Sequence, residues 1–131
     1  MIIGLGSDIV NITRIEKSAD FLEHFKQKIL GADELQEISQ KKLNNQKELA
    51  CLLGKYYAGK EAFAKALGTG FIDGIFLRDI QILHNDLGKP ELKISGAAAG
   101  YLHKLSATPQ LHISLSDDYP FALAVVIIEA A

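Results

Sequence analysis

Glu61 and Lys65 stand four residues apart in "YYAGKEAFAKALGTG" (56–70), with Lys60 beside them, inside a run of alanine, aromatic and glycine residues. Charged side chains normally avoid such a run. A carboxylate flanked by lysines suits a metal-bound polyanion: the carboxylate offers oxygen to a hard cation, and the ammonium groups meet phosphate charge. The plain alternative is a surface pair of Glu61 and Lys65 worth about 0.2–0.5 kcal/mol, with Lys60 extending its head to water. A second carboxylate, Asp8, lies in "MIIGLGSDIV" (1–10). Strand alternation puts Gly4, Gly6 and Asp8 on one side and Ile3, Leu5 and Ile9 on the other. Asp8 then projects from a face made narrow by glycine, where another backbone or a ligand can approach closely. The alternative for Asp8 is a turn or N-cap residue closing the strand. "GLGSDI" has Ile9 where a dinucleotide fingerprint needs its third glycine, so that reading is set aside.

The elements that must position these residues follow from periodicity. Residues 1–10 read as a strand, and 12–30 as a helix capped at Thr13 with the stripe Ile15, Phe21, Leu22, Phe25 and Ile29. "GADELQEISQKK" (31–42) reads as a short helix with an acidic first turn. A long helix is expected from Lys47 to Leu67, ended by the glycines of "GTGFIDG" (68–74). Its bulky stripe is Leu49, Leu52, Leu53, Tyr56, Phe63 and Leu67, with Lys60 inside it. Ala50, Cys51, Gly54, Ala58 and Ala62 form a strip of small residues opposite. Such a helix is packed on both sides. "FLRDIQIL" (76–83) and "ELKIS" (91–95) read as a hairpin around Gly88. "SGAAAGYLHKLSA" (95–107) is a helix capped at Ser95 and interrupted at Gly100. "QLHISLS" (110–116) and "PFALAVVIIE" (120–129) form a closing hairpin around "DDYP". The class is α+β: one compact domain over 1–131, with a long central helix and an antiparallel sheet.

Composition sets bounds on function. The chain has 131 residues, 48% hydrophobic and 23% charged, with a net charge of −2. That balance gives no bulk attraction for nucleic acid. The one cysteine, Cys51, reads as a small core residue and fits a reducing, cytoplasmic setting. The opening residues lack the basic region of a signal peptide. "FALAVVIIEAA" is too short for the ~20 residues of a membrane span and reads as a core strand. His24, His84 and His103 have no partner in the sequence and read as surface residues.

Four segments, "GLGSDIVNITRIE", "GKEAFAKALGTG", "NDLGKPEL" and "HISLSDDYPFALAVVIIE", follow one another in an order and spacing that resemble the holo-[acyl-carrier-protein] synthases. These are the small bacterial 4′-phosphopantetheinyl transferases, and the resemblance covers essentially the whole chain. It implies a phosphopantetheinyl transferase fold and transfer of 4′-phosphopantetheine from coenzyme A to a serine of apo-acyl carrier protein. Adenosine 3′,5′-bisphosphate is released, and the reaction supports fatty acid biosynthesis.

By position, the resemblance implies Mg²⁺ held by Asp8 and Glu61, and a phosphate contact at Lys65. Coenzyme A contacts fall on Gly68, on the turn Leu87, Gly88, Lys89 and Pro90, and on Asp117. Arg14, with Lys26 and Lys28 farther along, falls on the helix where the family docks its acidic partner. A homotrimer with sites between subunits is also implied. A metal-bound water, Asp8 and Glu61 are all candidates to take the serine proton. Two positions depart from the pattern: Tyr56 stands where many members have arginine, and Asp117 where others have histidine. Two readings from other classes are a small trimeric binding protein and a non-catalytic subunit of a larger synthase.

Overall fold

In the computed structural model, which describes residues 1–72 and 74–131, a 22-residue helix runs through the middle of the molecule. The elements are β1 (Ile2–Asn11), α1 (Ala19–Ile29), α2 (Ala32–Ser39), α3 (Gln46–Leu67), β2 (Ile80–His84), β3 (Pro90–Ile94), α4 (Gly96–Leu105), β4 (Pro109–Asp118) and β5 (Phe121–Ala130). Single 3₁₀ turns occupy Ile12–Arg14 and Leu77–Asp79. The α+β class expected from periodicity is the one observed. One antiparallel sheet has the order β1-β5-β4, and β2 and β3 form a separate antiparallel pair.

The central helix belongs to two cores. Ala58, Ala62, Phe63, Ala66 and Leu67 pack with Ala124, Val126 and Ile128 of β5 and with Ile80, Ala98 and Leu102. Ala50, Leu53 and Tyr56 pack with Ile12, Ile15, Leu22, Ile29, Leu30 and Ile38. Small residues make this double packing possible. A Cβ at Gly59 would meet Ile82 Cδ1 at 2.5 Å and Ile113 Cδ1 at 3.1 Å. The helix begins at an Asn45 cap, whose side chain accepts from the Glu48 amide at 2.9 Å, while Glu48 accepts from the Asn44 amide. It ends at Gly68 with φ of +88°, a left-handed cap that glycine adopts without strain.

Several boundaries differ from the periodic reading. The expected helix 12–30 is split. Asn11, not Thr13, caps the first turn, and Ser18 caps α1 by accepting from the Phe21 amide at 3.0 Å. The first half of "FLRDIQIL" is a 3₁₀ turn, so β2 starts at Ile80. α4 passes through Gly100 unbroken, and the Ser95 hydroxyl points to Asp79 instead of capping it. β5 is a core strand on one face only. Ala122, Ala124, Val126 and Ile128 are buried, whereas Phe121 and Leu123 are exposed beside Leu5 and Ile9 of β1. Among the described residues, no helix is long and apolar enough to cross a membrane.

Candidate active site

Glycine brings the two chemical segments together. Gly4 and Gly6 of β1 face α3 with no side chain between. A Cβ at Gly6 would lie 2.6 Å from the Ala66 nitrogen and overlap the Ala62 carbonyl oxygen. The narrow face read from alternation is therefore a strand–helix contact, and Asp8 emerges at its open end. There Lys65, in the last turn of α3, donates to Asp8 Oδ1 at 3.2 Å and to the Ser7 carbonyl at 3.0 Å. Lys65 is half-exposed, and Asp8 is mostly covered. Lys65 makes this bond across elements, and not the i,i+4 surface pair with Glu61 that was the plain alternative.

Glu61 lines a cleft of about 350 Å³ with Asp8, Arg14 and Tyr57. Burial first, and the Glu61 carboxylate second, push the Tyr57 hydroxyl up from its ordinary value, so the phenol remains a proton donor beside the two acids. No motif in the sequence marks Tyr57, although it stands one helical turn before Glu61. Its ring also packs on Phe25 of α1, centroids 5.5 Å apart. This fixes the wall between α1 and α3.

Lys60 behaves differently from its neighbours. It does not extend to water: its side chain is fully buried, 2.7 Å from the equally buried Glu34, and also donates to the carbonyls of Leu77 and Ile80. Glu34 in turn accepts from the amides of Gly31 and Ile82 at 2.9 and 3.0 Å. Burial pushes the Glu34 carboxyl up and the Lys60 ammonium down, in each case against the attraction of the other. The pair clamps α2, α3 and the start of β2 together behind Glu61.

The remaining candidates lie elsewhere on the chain. Asp117 is 3.3 Å from Lys55, in a cleft that also takes in Lys41, Lys47 and Cys51. Cys51 is half-buried, packed against the edge of the core while lining the cleft, and burial pushes its thiol up. The turn Leu87–Pro90 projects from β2 and β3, with Leu87 96% exposed and Gly88 at φ +84°. Asn85 shapes that turn, a role that spacing alone does not reveal: its side chain accepts from the Leu87 and Lys89 amides at 2.9 and 3.0 Å. His84 is not a free surface residue, because it binds Glu37 at 3.1 Å and stacks on Tyr56. Tyr56 therefore fills a packing role at its position. Arg14 and Lys28 are exposed, while Lys26 pairs with Glu23 at 2.9 Å. Gly68 is open, and a Cβ there would meet nothing within 4 Å.

Two carboxylates on one cleft form an all-oxygen donor set of the kind a hard, reluctantly dehydrated cation accepts, leaving its other positions to water and substrate. Among the described residues, no group of three His, Cys, Asp or Glu side chains gathers as a fuller cage. Fold and site together define a small α+β domain with an acidic pair and a lysine where a strand meets a helix, suited to polyanion chemistry. Residues 4–124 match the 4′-phosphopantetheinyl transferase superfamily, and the chain belongs to it. A holo-[acyl-carrier-protein] synthase of Brucella ovis is 40% identical over 134 residues, covering 99% of this chain and 96% of that protein. The crystal structure of the corresponding Neisseria meningitidis synthase aligns with a TM-score of 0.81 at 38% identity, covering 98% of this chain and 99% of the other. A Bacillus anthracis synthase in complex with CoA (3′,5′-ADP) aligns with a TM-score of 0.78 at 32% identity, covering 100% and 99%.

Proposed function

We propose that this chain, acting as a single domain, transfers 4′-phosphopantetheine from coenzyme A to a serine of an apo-acyl carrier protein, in support of fatty acid biosynthesis. The observation that carries the reading is the meeting of Asp8, Glu61 and Lys65 across the glycine contact, in a chain 40% identical to a holo-[acyl-carrier-protein] synthase. The serine oxygen attacks the phosphorus that bears pantetheine. The bond from that phosphorus to the bridging oxygen breaks, and adenosine 3′,5′-bisphosphate leaves.

Asp8 and Glu61 are the residues that would hold Mg²⁺. Bound there, the ion would neutralise the diphosphate and orient it. Lys65 exchanges its bond to Asp8 for the phosphate and meets the negative charge that grows on the leaving oxygen. Asp8 or Glu61 accepts the serine proton. Tyr57, held protonated, supports the carboxylate next to it.

Coenzyme A would run past Gly68 and contact Leu87, Gly88, Lys89, Pro90 and Asp117. The cleft of Asp8 and Glu61 contains neither Asp117 nor this turn, which supports a site completed by a second copy. The apolar outer face of β1 and β5 supports a homotrimer as the assembly that supplies it. Arg14, Lys26 and Lys28 would receive the acidic carrier, and a cytoplasmic setting fits both substrates. The test is loss of coenzyme A on addition of apo-carrier and Mg²⁺, with appearance of the modified carrier by mass. No modified carrier in the presence of both substrates would end this reading.

A further inference from the structure

The two carboxylates of the cleft are held differently. Among the described residues, no cation lies within ion-pair distance of Glu61. Asp8 is paired: Lys65 Nζ donates to its Oδ1 at 3.2 Å and to the Ser7 carbonyl at 3.0 Å, so one ammonium grips two successive residues of β1. The ends of this contact are also unlike. The Asp8 side chain is 18% exposed, on a strand that Gly4 and Gly6 press against α3. The Lys65 side chain is 53% exposed, a flexible stem on the last turn of α3 beside the open Gly68. If the pair parts, it is the lysine that moves.

We propose that Lys65 is a latch on Asp8, one that keeps affinity for a divalent cation low until a diphosphate offers the ammonium another anion. This rests on the transfer reading above and concerns the order in which its site is assembled. The Lys65 ammonium stands where a cation must approach Asp8, so a cation has to displace it against like-charge repulsion. The displaced side chain then needs a new partner, and a diphosphate lying past Gly68 supplies one. Coenzyme A draws Lys65 off Asp8 and thereby opens the carboxylate. A cation held by Asp8 frees Lys65 for phosphate. Two ligands that compete with each other's partner for one side chain are coupled, and the coupling is reciprocal. The latch thus keeps the acid pair from collecting a hard cation before its substrate is there.

The experiment measures binding and not turnover. Mg²⁺ is titrated by calorimetry into the unaltered chain, Lys65→Met, Lys65→Arg and Lys28→Met, each first shown to melt cooperatively near the parent temperature. Every titration is run with and without coenzyme A, and the binding of Mg²⁺ to coenzyme A itself is subtracted. Without coenzyme A, Lys65→Met is expected to bind the ion about three- to fivefold more tightly than the unaltered chain, the range of a partly exposed ion pair. Lys65→Arg keeps the pair and should stay near the parent. Lys28 lines a neighbouring cleft with Glu61 but holds no carboxylate there, so Lys28→Met should stay within about twofold in ordinary salt. Coenzyme A should tighten Mg²⁺ binding about tenfold or more in the unaltered chain, and by a smaller factor in Lys65→Met. Unchanged or weaker affinity in Lys65→Met overturns the latch. So does an equal tightening in Lys28→Met, which would reduce the effect to general charge, or an equal coenzyme A effect in both chains. Modified carrier formed by a chain that binds Mg²⁺ independently of Lys65 leaves the transfer reading standing and removes only the latch. Failure of the unaltered chain to bind Mg²⁺ even with coenzyme A ends both the metal site and the latch.

Discussion

Glu61 and Asp8 lose their charge but keep their shape when changed to Gln and Asn. Glu61→Gln is expected to cut transfer by about a hundredfold or more, with the melting temperature nearly unchanged, because the residue is needed for charge and not for packing. Near-normal turnover at ordinary Mg²⁺ would remove it from the site. Lys65→Ala should lower kcat more than it raises the coenzyme A KM, since the charge it meets develops as the phosphate leaves. A change confined to KM would make it a ground-state contact. Gly6→Ala tests the geometry that brings these groups together. Its methyl must push β1 off α3, so unfolding free energy should fall by about 1–3 kcal/mol and transfer should fall with it. At this scale the sequence was most legible where backbone shape decided the outcome: alternation alone put Asp8 on the glycine face. It was least legible for Lys60, whose partner Glu34 is 26 residues away and is brought to it only by the tertiary fold.

That buried pair matters at the scale of elements, because it joins α2, α3 and β2. Removing one partner leaves the other charge unpaired in the core, so Lys60→Met or Glu34→Leu alone is expected to cost about 3–5 kcal/mol in denaturant unfolding. The double variant should recover most of that loss, and a double loss equal to the sum of the singles would show that the two residues act independently. A second tie, between Lys93 of β3 and Asp33 at the start of α2, is exposed. The Lys93 ammonium, through its hydrogen bond and then its charge, holds the Asp33 carboxyl below its ordinary value of 3.8. The lowered value favours the fold above that ordinary pH, and the contribution is lost as pH falls through the folded value. Lys93→Met should flatten that part of the acid limb of a melting curve, slightly, and less in high salt. Element boundaries were harder to read than element types. The helix expected over 12–30 had an unbroken apolar stripe, yet Asn11 and Ser18 each bond the backbone locally and divide it. The long helix was more legible: it was expected from Lys47 and starts at Gln46, because its period runs unbroken up to the Asn45 cap.

For the molecule as a whole, the apolar outer face of β1 and β5 and the separate clefts of Asp8 and Asp117 support the proposal that sites are shared between copies. Co-expressing Glu61→Gln with Gly88→Val chains tests this, the valine being strained where φ is +84°. With random mixing in a closed ring, about a quarter of sites combine an intact helix with an intact neighbouring turn, and activity should return to about that level. No recovery in a folded mixed population would confine each site to one chain. The α+β class was legible because alternation and helical period are local. The exposed side of β5 was not, because a strand hydrophobic on both faces reads as fully buried. One further consequence lies in the pairing of β1 with β5, residues 2–11 against residues 121–130. Among the described residues, the strand that carries Asp8 has its only sheet partner more than a hundred residues downstream. During synthesis, therefore, β1 waits on the ribosome until nearly all of these residues have emerged. Long-range closure of this kind is slow compared with helix formation. Asp8 therefore gains its place beside α3 late, and the joining of β1 to β5 is a closing step in forming the candidate site.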